Sequence, residues 1–178
     1  MIDAIVNAYF RDYHDHVRDF RPVFLVNDIL RFWKTLCLNY ERKRNIQAET
    51  IEKKHKNHVR NVKLKFSRLL TCFSTVIPLV TMRQASPEEV IALTKDPPLE
   101  RLHRCATTSA KALESYRELV SLYSAFLNTV ERSDVVDWIG VEANRRAAFG
   151  NADEFAKVMF ALLEELVQNL DTFRYLII

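Results

Sequence analysis

Two glycines in 178 residues, Gly140 and Gly150, are the tightest constraint on what this chain can fold into. Glycine is the residue that readily takes the positive φ needed in hairpin turns, phosphate-cradling loops and tight strand connections. With so few, a sheet-rich fold is disfavoured, and no window can hold a Walker-type loop or a dinucleotide-binding fingerprint. The expectation is an all-α protein. Its 48% hydrophobic residues are enough for a substantial core and its 28% charged residues enough to solvate the outer faces.

Periodicity supports this. Ile5, Val6, Tyr9, Tyr13, Val17 and Phe20 recur at steps of three and four, predicting a first helix that Pro22 ends. The run from Phe24 to Leu38 is apolar on nearly every side, which predicts a central helix surrounded by others. From about Ile46 to Ile77 a long helix is expected, with Val59, Val62, Phe66, Leu69, Phe73 and Val76 as a heptad seam. Ser86, Pro87 and Glu89 form a capping box with proline at the first helical position, starting a short connector. A second seam follows Pro97 and Pro98 and runs over nine positions from Leu102 to Val130. The C-terminal third predicts a helix from about Asp134 to Ala148 stopped by Gly150. A last helix is then capped by Asn151 and Glu154. Together these predict one all-helical domain over 1–178, a bundle of six or seven helices with two long antiparallel members.

The net charge of +3 conceals a strong local asymmetry: residues 41–68 hold ten basic and three acidic residues, whereas 111–178 hold seven and eleven. Such a basic stretch can displace counterions from phosphates, which nominates Arg42, Lys43, Arg44, Lys53, Lys54, Lys56, Arg60, Lys63 and Lys65 as nucleic-acid contacts. Aromatic residues do not interleave them before Phe66, so the pattern offers phosphate contacts rather than base stacking. The same residues read equally as the solvated face of a long helix. The acidic C-terminal third could also lie against them or attract a second copy.

Cys37, Cys72 and Cys105 are odd in number and widely spaced, which gives neither a disulfide framework nor a C-x-x-C site. Asp3, Asp12 and Asp15 interrupt any leader-like apolar stretch, so an intracellular, cytoplasmic location is expected. The longest nearly uncharged run, between Arg68 and Arg83, is shorter than the roughly 20 residues of a spanning helix.

Candidate chemistry is sparse. Glu52 with His55 and Glu100 with His103 repeat a Glu-x-x-His spacing that places both side chains on one helical face. At this level the spacing resembles the di-iron carboxylate bundles, a resemblance that implies two further inward glutamates, which the sequence does not nominate. Lys53, Lys54 and Lys56 also crowd the first motif against a dication. Arg11, four residues and then His16 resemble the signature of the helical HEPN ribonucleases. That resemblance implies an Arg and a His lining an RNA-cleaving dimer interface. The alternative is a surface helix on which Asp12 and His16 pair. No serine has a glycine elbow, and Cys105 faces away from His103 on a helix. No catalytic residue, metal ligand or cofactor is nominated, and a HEPN-like ribonuclease stands as the minor alternative to a protein without enzymatic activity.

Two seams longer than the fold itself needs, with Tyr116 and Tyr123 in the second, point to protein partners or self-association. So does the uncharged terminus Tyr175, Leu176, Ile177 and Ile178. The expected function is a helical interaction or assembly protein, with nucleic-acid binding through residues 41–68 as the alternative.

Overall fold

The computed structural model describes residues 2–18, 20–44, 50–82 and 84–167, and the side chains of Lys43 and Arg44 lie outside it. Among the described residues all regular structure is helical. In chain order the elements are α1 (Ile2–Tyr9), a 3₁₀ turn (Tyr13–Asp15), α2 (Val23–Arg44), α3 (Ile51–Lys63), a π turn (Leu64–Arg68) and α4 (Leu69–Thr81). They continue with α5 (Pro87–Lys95), α6 (Pro98–Ala106), α7 (Ala110–Val130), α8 (Val135–Gly140) and α9 (Glu142–Val167). α3, the π turn and α4 form one rod, Ile51–Thr81, begun by Thr50, whose hydroxyl accepts the Lys53 amide.

α4 carries no charged residue and is buried around most of its circumference, from Leu69 and Leu70 to Ile77, Leu79 and Val80. It packs against α2, α6 and α9, so it is the central element. By length and composition the rod could cross a membrane, but 61% of its most apolar window is buried against the rest of the chain, as in a core helix. The predicted seam lies inside: Val59, Val62, Phe66, Leu69, Phe73 and Val76 are all buried.

Four expectations are corrected, each for a physical reason. The first helix stops at Tyr9. Phe10 and Phe20 meet at 4.7 Å and Tyr13 and Phe20 at 5.6 Å. On a straight helix ten residues span about 15 Å, so this cluster requires the chain to turn back. α2 is peripheral rather than central: it rests chiefly on α4 and leaves Phe24, Phe32 and Leu38 outward. The second seam is two helices, because Ser109 is an N-cap whose hydroxyl accepts the Ala112 amide and donates to Glu165. Thr107 and Thr108 donate back to the carbonyls of Arg104 and Cys105 and close the end of α6. Finally, the C-terminal break falls at Gly140–Val141, and α9 runs through Gly150. A Cβ at Gly140 would come 2.5 Å from the His55 ring, so any larger residue there would have to displace that side chain.

The capping box at α5 forms as expected, with Glu89 N donating to the Ser86 hydroxyl at 3.2 Å and Ser86 N to the Glu89 carboxylate at 2.9 Å. Gly150 instead sits exposed inside α9 at a negative φ, with nothing within 4 Å of a Cβ. Gly150→Ala is therefore expected to stabilise the protein by about 0.5–1 kcal/mol. Urea unfolding followed by circular dichroism checks this, and an unchanged or lower midpoint would place Gly150 outside a helix in solution.

Candidate interaction surfaces

The basic stretch divides into two environments. Lys53, Lys54, Lys56, Arg60 and Lys63 all lie exposed on α3, and Arg42 lies exposed at the far end of α2. Some of this charge is already engaged. Lys56 pairs with Glu52 at 2.5 Å, and Arg60 bonds to Asn57 at 3.5 Å. Lys65 turns toward the bundle, where it donates to Asp153 at 2.6 Å and lies 5.7 Å from the Phe149 ring centre. That contact realises, in one pair, the expected approach of the acidic third to the basic helix.

The structure adds one cation that sequence reasoning missed. Arg145, at the start of α9, lies close enough to His58 to lower its pKa. It comes from a segment of net acidic charge, and only tertiary packing brings it to α3. Burial is the larger cause of the His58 shift, with Arg145, Lys54 and His55 adding repulsion. Its Nε2 is buried without a hydrogen-bond partner among the described residues, and its ring meets the Phe149 ring edge-on at 6.2 Å. A histidine held below its usual pKa favours the neutral form in the folded state. The unfolded chain then binds the extra proton first, and stability falls as pH drops below the usual histidine range. Acidification from pH 7.5 to 5 should thus lower the unfolding free energy, and His58→Phe should flatten that slope. An identical slope in the variant would show that His58 does not carry it.

The residues nominated as partner contacts on the second seam are engaged internally. Tyr116 is half-buried against His103, with ring centres 5.1 Å apart. Tyr123 lies beside Phe126 at 5.4 Å and Phe155 at 6.0 Å. Tyr175, Leu176, Ile177 and Ile178 lie outside the described residues.

The proposed chemical pairs are not assembled. Glu52 is tied to Lys56, His55 is against Gly140, and Glu100 and His103 are exposed on α6. Among the described residues no group of three or more His, Cys, Asp or Glu side chains could hold a metal ion. Arg11 and His16 are both exposed and flank the 3₁₀ turn instead of sharing a helix. Burial pushes the Cys72 thiol up to about 12 and also raises Cys37 and Cys105, which keeps all three as neutral thiols.

Two surface features remain. One is an open cleft of about 580 Å³ among α4, α5 and α6, lined by Met82, Leu93 and Leu166 with Arg101 and Arg104 at its polar side. Both guanidinium groups are occupied, Arg104 by Asp96 at 2.9 Å and Arg101 by the α5 end and Thr75. The other is the outer face of α2. Phe24 is 79% exposed, Phe32 64% and Leu38 62%. A groove of about 190 Å³ lined by Ile29, Phe32, Trp33, Leu36 and Cys72 runs beside Phe32 between α2 and α4. Single exposed apolar residues are ordinary, whereas here three large ones lie along one helical face beside a groove.

No protein-family profile, curated protein or solved structure matches this chain.

Proposed function

We propose that this chain is a non-catalytic interaction or assembly protein of a reducing intracellular compartment, and that the outer face of α2 is its contact surface. The observation that carries the reading is the outward set of Phe24, Phe32 and Leu38 on a helix whose opposite face is already packed on α4. Aromatic residues at the centre of such a face are the usual anchors of protein interfaces, because they bury large area at low conformational cost. The heptad seams contribute differently from what their length suggests: the first is buried along α3 and α4, and α7 of the second packs chiefly on α9. The three unpaired thiols support the reducing compartment.

A photo-crosslinking amino acid placed at position 32 tests the reading in cells that make the protein. A discrete adduct that disappears with Phe24→Glu is expected. A chain that stays uncrosslinked overturns it.

A second reading is phosphate contact through α3, favoured by the exposed Lys54, Arg60 and Lys63 and by Arg145 beside them. It requires affinity for nucleic acid that falls steeply with salt and weakens uniformly over sequences when Lys54 and Arg60 are reversed to Glu.

A further inference from the structure

We propose that Lys54 and Arg145, with His58 behind them, form a site for one phosphate group where α3 meets the start of α9, and that the site binds more tightly as His58 takes up a proton. This rests on the second reading, phosphate contact through α3, and goes beyond it by naming the residues that hold one phosphate and the proton that regulates it. The two helices run side by side in the same direction here. His55 faces Gly140, the His58 ring meets the Phe149 ring at 6.2 Å, and Lys65 reaches Asp153 at 2.6 Å. Lys54 lies one turn before His58 and Arg145 one turn before Phe149, so both cations fall on the faces that meet. Lys54 is exposed and Arg145 half-buried, within reach of an anion arriving from solvent, while the Nε2 of His58 is withdrawn and buried.

What marks the cluster is the single sign of its charge. Burial, and then Arg145, Lys54 and His55, all disfavour the cationic form of His58. The acids of the elements packed there do not offset them. Glu52 on α3 is tied to Lys56 and Glu142 on α9 to Arg146, and the exposed Asp137 on α8 is not among the charges that act on the imidazole. Like charges gathered without a counter-ion raise the free energy of the folded chain, and an anion placed among them removes that cost. Titratable groups disturbed by identifiable charged neighbours are characteristic of binding sites.

The donors suit a phosphate group. The planar fork of Arg145 fills both oxygens of a carboxylate, whereas a phosphate keeps an oxygen for the mobile ammonium of Lys54 as well. A bound anion opposes the repulsion that Arg145, Lys54 and His55 exert on His58 and so favours its imidazolium. Because Nε2 has no acceptor among the described residues, the bound anion supplies the counter-charge that the protein itself lacks. Binding then takes up a proton, and by linkage affinity must rise as pH falls through the histidine range. A phosphodiester or a sulfate keeps its own charge over that range, so the dependence reports the protein.

Proton NMR of the histidine Cε1 protons over about pH 5–8, with and without sulfate, tests this, the His58 signal being identified by its loss in His58→Gln. Sulfate is expected to move the His58 titration to higher pH, and Arg145→Gln to abolish that movement. If Arg145→Gln does not fold by circular dichroism, Lys54→Gln, at an exposed position, carries the comparison. Sulfate affinity should rise about tenfold from about pH 7.5 to about 5.5 in the parent and stay level in His58→Gln. A His58 titration that sulfate leaves in place, or moves equally in both variants, overturns the site. A short single-stranded RNA that reproduces the pH dependence identifies a nucleic-acid backbone as the source of the phosphate, and a response to sulfate alone identifies a small phosphorylated ligand. RNA binding that falls with salt and with reversal of Lys54 and Arg60, yet leaves His58 unmoved, rejects this site while the wider α3 contact stands. With neither sulfate nor RNA bound, both fail.

Discussion

Phe66→Ala is expected to lower the unfolding free energy by about 4 kcal/mol, the cost of removing a fully buried aromatic ring and leaving its cavity. Phe66 sits in the π turn, 2% exposed, stacked on Phe126 of α7 at 4.5 Å with 10° between planes and tilted against Phe155 of α9 at 4.8 Å. One ring therefore joins the rod to the two long C-terminal helices. Urea unfolding monitored by circular dichroism measures the loss, and Phe66→Leu should recover most of it, because the smaller aliphatic side chain refills part of the space. A loss under about 1 kcal/mol would mean that the rings do not meet in solution. The result also bears on function. A seam that faced a partner would show its loss in association, whereas this one shows it in folding.

Arg101→Ala should cost about 3 kcal/mol, the range for deleting a charged donor that satisfies several part-buried acceptors. Its Nε donates to the Asp96 carbonyl at 2.8 Å, Nη2 to the Thr94 carbonyl at 3.0 Å and Nη1 to the Thr75 hydroxyl at 2.8 Å. Two of these acceptors lie at the end of α5, where backbone carbonyls lack helical partners. The third is on α4, so the guanidinium ties α4, α5 and α6 together. Arg101→Lys should rescue little, since one ammonium cannot reach three divergent acceptors. Thermal unfolding of the three proteins decides the matter. Equal stability of the lysine variant and the parent would reduce Arg101 to a point charge.

What the sequence made legible follows from what local chemistry controls. The all-α class was readable from scarce glycine and helical periodicity, and the α5 capping box from Ser86 and Glu89 alone, because each depends on neighbours in the chain. The breaks were harder. Leu102 through Val130 keep a helical phase across the interruption, and Ser109 reads as one more seam position until Glu165 is seen to hold its hydroxyl. Gly150 signals a stop and Gly140 does not, yet the break falls at Gly140, which packs close to His55, 85 residues earlier. The α2 face was misplaced for a related reason. An all-apolar helix can be wrapped by its own chain or await another, and sequence alone does not separate these. Of the basic candidates, the exposed set on α3 was legible. The inward turn of Lys65 and the arrival of Arg145 required tertiary contacts.

The manner in which α2 is attached has a consequence for motion. Its larger contact is with α4, reinforced by Tyr9 to Asp28 at one end and by the Tyr40 hydroxyl to the Asn57 carbonyl at 2.9 Å at the other. An element fastened along one face and pinned at two points can open as a unit while the remaining core stays closed. Its amides should then exchange with solvent deuterium sooner than those of α4 and α9, and anything that clasps the outer face would slow them. Occupancy of that face could thus be read from exchange rates alone, without a label.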